Sequence, residues 1–207
     1  MLSALVLALA LATGNSSAAV ADAENAAPAV SREDVVACGV VPGRVAIGFD
    51  KDLDEEAIQI AKGADALGDK TLTCLAETSV RTDMLVQFED KAIETRYRAI
   101  YWPMVQQRQH DMAVRWLTEH DLIAGLPQPA DGVPLADYAR AVEAHCGARQ
   151  GTALAAEGKD MVTLDAATLV DPAAGPRVEC MIHVVAASNP PGAVSLGFSG
   201  LEGGGPR

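Results

Sequence analysis

Four cysteines, four histidines, a run of carboxylates and one glycine-flanked serine are the residues whose types and spacing could carry chemistry. The segment Asp50-Lys51-Asp52-Leu53-Asp54-Glu55-Glu56 sets carboxylates at alternate positions, as a calcium loop begins, because a hard cation wants several oxygens over a short arc. An EF-hand would need Gly at the sixth position and a bidentate Glu at the twelfth, and these are Glu55 and Ala61. No metal ligand set is assigned, and a weak calcium-binding structural role stands as one alternative to a solvated acidic turn or helix start. Gly197-Phe198-Ser199-Gly200-Leu201 opens like a nucleophile elbow, but its last position is Leu201. Only Glu202-Gly203-Gly204-Gly205-Pro206-Arg207 follows, where the motif needs a helix, so Ser199 reads as tail. The histidines, His110, His120, His145 and His183, form no H-E-x-x-H pair. His110 and His120 would face different sides of a straight helix. A hydrolase with His183 or His110 as general base is the catalytic alternative, with no catalytic residue assigned. Glycine loops of the Walker or dinucleotide type are absent, so no cofactor is expected.

The cysteines carry the most structural information. Their even number, with no C-x-x-C, reads as disulfides in an oxidising compartment rather than as redox or zinc chemistry. Four cysteines allow three connectivities, and an internal similarity selects among them. Cys38 is followed by Gly39 and Gly43, and Cys146 by Gly147 and Gly151, at the same offsets. Cys74 lies 36 residues after Cys38, and Cys180 lies 34 after Cys146. The expected pairs are therefore Cys38–Cys74 and Cys146–Cys180.

Around these cysteines the same series of elements can be read twice. Helical patterns cover 31–37 and 135–142, and short alternating runs cover 57–60 and 161–164. Strand-like runs then hold the second cysteine of each pair, over 71–75 and 178–185. Turns follow at 79–83 and 188–192, and third strands at 84–88 and 193–198. The expected fold is α+β, with antiparallel strands in two helix-strand-strand-strand pseudo-repeats, 31–88 and 135–200, and helices on one face. Between them, 89–125 shows helical spacing at Ile93, Tyr97, Ile100, Met104, Met112, Trp116 and Leu117. Pro103 makes this segment a kinked helix or two helices, with Gly125 as C-cap. Six acidic and five basic residues over 87–125, many at helical contact spacing, read as an ion-paired solvated face. Three prolines in 126–134 mark a linker.

The start of the chain reads as an address. Leu2 to Ala12 form an eleven-residue apolar run, too short to span a bilayer, and Ala19-Val20-Ala21 supplies cleavage spacing before Asp22. Residues 1–21 are thus expected to be a signal peptide and 22–30 a mobile segment, with 201–207 a flexible tail. Cys38 is a poor lipidation site, because the charged stretch from Asp22 to Asp34 separates it from the apolar run. No second long apolar run exists, so no membrane insertion is expected after cleavage. Arginine outnumbers lysine eleven to five, which with abundant alanine points to a GC-rich bacterial genome, and so to the periplasm or the medium. A net charge of −12 disfavours nucleic acid and anionic membrane as partners and would steer a basic protein instead. The expectation is an exported, disulfide-stapled binding or accessory protein of the inhibitor or adaptor kind. Oligomeric state and ligand are not legible in the sequence.

Overall fold

Each half of the chain begins with a helix that runs into a cysteine. A computed structural model describes residues 31–51, 54–63, 67–169, 173–188 and 194–200, so the expectations for 1–21, 22–30 and 201–207 lie outside the described residues. Helix α1 spans Arg32–Ala37 and starts in a capping box: Ser31 Oγ accepts from Asp34 N–H, and Asp34 accepts from Ser31 N–H at 2.8 Å. Those bonds from Ser31 hold the Asp34 carboxyl below the usual carboxylate range. Cys38 caps the helix, and Gly39 takes φ 95°, a left-handed conformation that ends the turn at no steric cost. After a 3₁₀ turn at Pro42–Arg44 come β1 (Val45–Asp50) and β2 (Glu55–Ile60). Helix α2 (Asp69–Thr82), β3 (Leu85–Phe88) and the 29-residue α3 (Lys91–Glu119) follow. The second half runs α4 (Leu135–His145), β4 (Leu154–Glu157), β5 (Met161–Asp165), a short α5 (Ala166–Leu169), α6 (Gly175–Ser188) and β6 (Ser195–Ser199).

The class is α+β, with two three-stranded sheets ordered β1-β2-β3 and β4-β5-β6. The first two strands of each sheet are antiparallel. The third corrects the sequence reading, because β3 and β6 run parallel to their neighbours. The cause is a second correction. The segments 71–75 and 178–185, read as cysteine-bearing strands, are the helices α2 and α6. A helix between two strands carries the chain back across the sheet, so the next strand enters in the same direction, which a tight turn cannot do. Over a full helix length the buried positions of α2, Leu72, Leu75, Ala76 and Ser79, recur at helical spacing. A five-residue window hides that period, and the β-branched Val178, Ile182, Val184 and Val185 of α6 imitate a strand. The segment 79–83, read as a turn, is the last turn of α2, closed by Asp83 at φ 55°. β1 and β4 lie ahead of the alternating runs and complete each hairpin.

The two halves match in detail. α2 and α6 each have fourteen residues with the cysteine sixth, and their disulfides join Cys38 to Cys74 and Cys146 to Cys180, with Cα–Cα 5.5 and 5.7 Å. Thr82 and Ser188, last in their helices, each donate a hydroxyl to the carbonyl four residues back, at 2.9 and 2.7 Å. One core gathers Ile58, Ile60, Val86 and Phe88 of the first sheet against Leu72, Leu75 and Val35. The other gathers Leu154, Val162 and Leu164 against Val142, Met181 and Val184.

Helix α3 serves both cores. Ile93 and Tyr97 from its first half are buried in the first, and Ala113 and Leu117 from its second half in the second. It continues through Pro103 as a single helix, started by Asp90, whose carboxylate accepts from Ala92 and Ile93 N–H. It ends at Glu119 with His120 as cap, which corrects the placing of the C-cap at Gly125. No described helix is long and apolar enough to cross a membrane.

Candidate functional site

The clearest concavity with an apolar lining opens where α3 leaves the first core and approaches the second. It is a groove of about 480 Å³ between the middle of α3, the second half of α6 and strand β6. Trp102, Val105, Gln106, Gln109 and Met112 form the α3 wall, and their spacing keeps them on one helix face. Ile182, His183, Val185 and Ala186 of α6 form a second wall, and Leu196 and Phe198 of β6 a third. Three of these side chains stay bare: Trp102 is 50% exposed, Met112 49% and Phe198 49%. Single exposed apolar side chains are ordinary, but three converging on one groove make a contiguous apolar surface. His183 carries the one titratable side chain among its described lining residues.

His183 stacks on Trp116, ring centroids 4.5 Å apart, and His120 stacks on the same indole at 3.9 Å. Burial pulls the His183 pKa below its ordinary value, nearby Glu179 partly opposes this, and His120 adds to the lowering. Among the described residues no hydroxyl or carboxylate is hydrogen-bonded to His183. The other histidines hold helices in place. His110 Nδ1–H donates to the Ala186 carbonyl at 3.2 Å, tying α3 to α6, and His145 Nε2–H donates to the Leu122 carbonyl at 2.8 Å. His120 Nδ1–H donates to the Trp116 carbonyl at 2.8 Å. Ser199, read as tail, is the last residue of β6, in a strand rather than at a strand-to-helix elbow.

The acidic run falls at the β1–β2 hairpin, where Asp54 takes φ 57° and Asp50 pairs with Glu55 across the strands; Asp52 and Leu53 lie outside the described residues. No group of three metal-ligating side chains converges among the described residues.

A second concavity, of about 640 Å³, lies between the start of α3 and the edge strand β3 and shares Trp102 with the first. Its character is different. Glu94 accepts from Lys91 and Arg98 at 2.7 Å each, and the Lys91 bond is the main cause of its lowered pKa. Among its apolar lining residues, the Tyr97 ring sits 5.1 Å from Phe88, with Tyr101 stacked on it at 5.4 Å.

The sequence shows none of the groove residues as a set. Met112 appears in the helical pattern of the connector and Phe198 in the third strand, but they meet only once α3 and β6 are placed. The one available signal is the helical spacing of the apolar Trp102, Val105 and Met112, on a second face beside the core face of the same helix. Compared with known proteins, the chain matches no family model, no curated protein and no solved structure.

Proposed function

We propose that this is an exported, non-catalytic binding or accessory protein of the cell envelope, periplasmic or secreted, which takes up an uncharged apolar group in the groove between α3, α6 and β6. The observation that carries the reading is the convergence of half-exposed Trp102, Met112 and Phe198 on one groove of ligand size, walled by rigid helices and a strand. Two disulfides support an oxidising destination, and the apolar run Leu2 to Ala12 supports export. The matching build of the two halves supports their descent from one duplicated unit. The net charge of −12 adds long-range attraction for a basic protein partner, a contribution to encounter rate that salt screens within about 8–10 Å.

A ligand-observed NMR screen of small neutral fragments tests the groove. Binders are expected whose signal vanishes for Leu196→Gln, which keeps the volume of a groove wall but places an amide in it. Binders indifferent to that substitution, or a screen without binders, would overturn the reading.

A further inference from the structure

We infer that the groove beside Phe198 binds a small neutral aromatic compound, whose ring takes against Phe198 the place that the Tyr97 ring takes against Phe88. This rests on the groove reading above and gives it a ligand class. Phe88 and Phe198 hold the same station in their sheets: Phe88 pairs with Ile60 in the parallel register of β2 and β3, and Phe198 with Leu164 in that of β5 and β6. Ile60 in turn faces Val45 across the hairpin, and Leu164 faces Leu154. Yet Phe88 is 4% exposed and Phe198 49%.

The difference lies in what α3 presents to each strand. Over β3 it sets Tyr97, tilted 53° to Phe88, an edge-inclined geometry that aromatic pairs favour. Towards β6 it sets Trp102, Val105, Gln106, Gln109 and Met112, and among the described residues no ring is stacked on or tilted against Phe198. The second half thus keeps the phenyl floor, with Trp102 at its rim, and leaves Phe198 without the ring partner that Phe88 has in Tyr97.

Charge narrows the class. In a chain of net −12 the described lining carries no carboxylate, lysine or arginine, and His183 is its one titratable side chain, so an ion entering the groove would lose its hydration without a fixed counter-charge in return. A neutral ring loses little, and the amides of Gln106 and Gln109 with the Ser195 hydroxyl offer donors and acceptors to orient one hydroxyl or carbonyl group. The volume of about 480 Å³ suits a one- or two-ring compound. A whole helix, about 10–12 Å across, would need the walls to part.

Ligand-observed NMR titrations separate the candidate occupants. The probes are naphthalen-2-ol, octan-1-ol, naphthalene-2-carboxylate and a lactam-stapled peptide of residues 91–101, which carries Tyr97 and Tyr101 on a helix. Naphthalen-2-ol is expected to bind at least about tenfold more tightly than the other three. Phe198→Leu should weaken it about fivefold, the worth of one aromatic pair, and leave octan-1-ol within about twofold. Val105→Trp, which fills the groove from within, should abolish naphthalen-2-ol binding while the circular dichroism spectrum stays unchanged. Equal or tighter binding of octan-1-ol would overturn the aromatic class and leave the groove reading standing. Preference for the peptide would assign the site to a partner helix and overturn the proposal. Sedimentation showing self-association that Phe198→Asp abolishes would assign it to a second copy, with the same consequence. If none of the probes binds while the fragment screen yields Leu196-dependent binders, the ligand class falls alone; if that screen is also empty, both readings fall.

Discussion

Glu143 offers the sharpest quantitative test of the fold. It sits on α4 three residues before Cys146, the station that Val35 holds before Cys38, and it is 0% exposed. Its Oε1 accepts from the N–H groups of Thr152, Ala153 and Leu154 at 2.9, 2.7 and 2.9 Å, and its Oε2 from Gly151 N–H. The buried carboxylate thus holds the loop entering β4, whereas in the first half a 3₁₀ turn at Pro42–Arg44 leads into β1 and the matching helix position is the apolar Val35. In Glu143→Ala the exposed Gly151 and Thr152 can turn their N–H groups to water. Ala153 and Leu154 are buried and cannot. Two orphaned buried donors at about 1–3 kcal/mol each give a loss of about 4 kcal/mol. Glu143→Gln keeps the oxygen that serves three donors and sets its amide N–H₂ only against Gly151, for a loss of about 1 kcal/mol. At about 2–4 °C per kcal/mol for a chain of this length, thermal denaturation followed by circular dichroism should show Tm falling by about 8–16 °C for Ala and about 2–4 °C for Gln. A fall below about 3 °C for Ala, or equal falls for both, would refute the assignment of the loop's stability to this carboxylate.

Two further predictions follow from the staples and from the stacked histidine. Each disulfide closes a loop of 36 or 34 residues, so replacing either pair by serines should cost about 3–4 kcal/mol in urea denaturation. A Cys38–Cys146 peptide in a non-reduced digest would refute the pairing on which that figure rests. His183 has its pKa lowered by burial, so the unfolded chain takes up its proton more readily than the folded one. Its stabilising contribution is therefore complete above about pH 6.5 and is lost as pH falls through the lowered folded value. Tm measured from pH 7.5 down to 5 should decline in the wild type and decline less in His183→Gln, and parallel curves would rule the linkage out.

What the sequence discloses about this fold depends on the length of each signal. α3 is legible because more than two dozen residues repeat the 3.6 period, and α1 shows as a short helical pattern over 31–37. β2 and β5 alternate cleanly enough to be placed. The strand-like look of α2 and α6 has two causes: the five residues Thr71-Leu72-Thr73-Cys74-Leu75 satisfy both periods, and over 178–185 the β-branched Val178, Ile182, Val184 and Val185 imitate a strand. From that look came the antiparallel third strand, since direction within a sheet depends on what connects the strands. The groove was beyond reach for another reason. Trp102, Met112 and Phe198 come from an exposed helix face and a distant strand, and their convergence is a property of packing. Glu143 was equally hidden: a lone Glu in a helix looks solvated until the loop it holds is folded over it.

Because α3 lends its two ends to two separate interiors, neither half of the molecule owns a complete set of apolar walls. The first interior takes Tyr97 from one end of this helix and the second takes Leu117 from the other. The halves are thus bound into one cooperative body by a shared beam, whose midpoint, Trp102 to Met112, is also the rim of the open groove. An occupant resting against that midpoint would brace the junction between the two interiors, so that filling the groove and resisting separation of the halves become one and the same property.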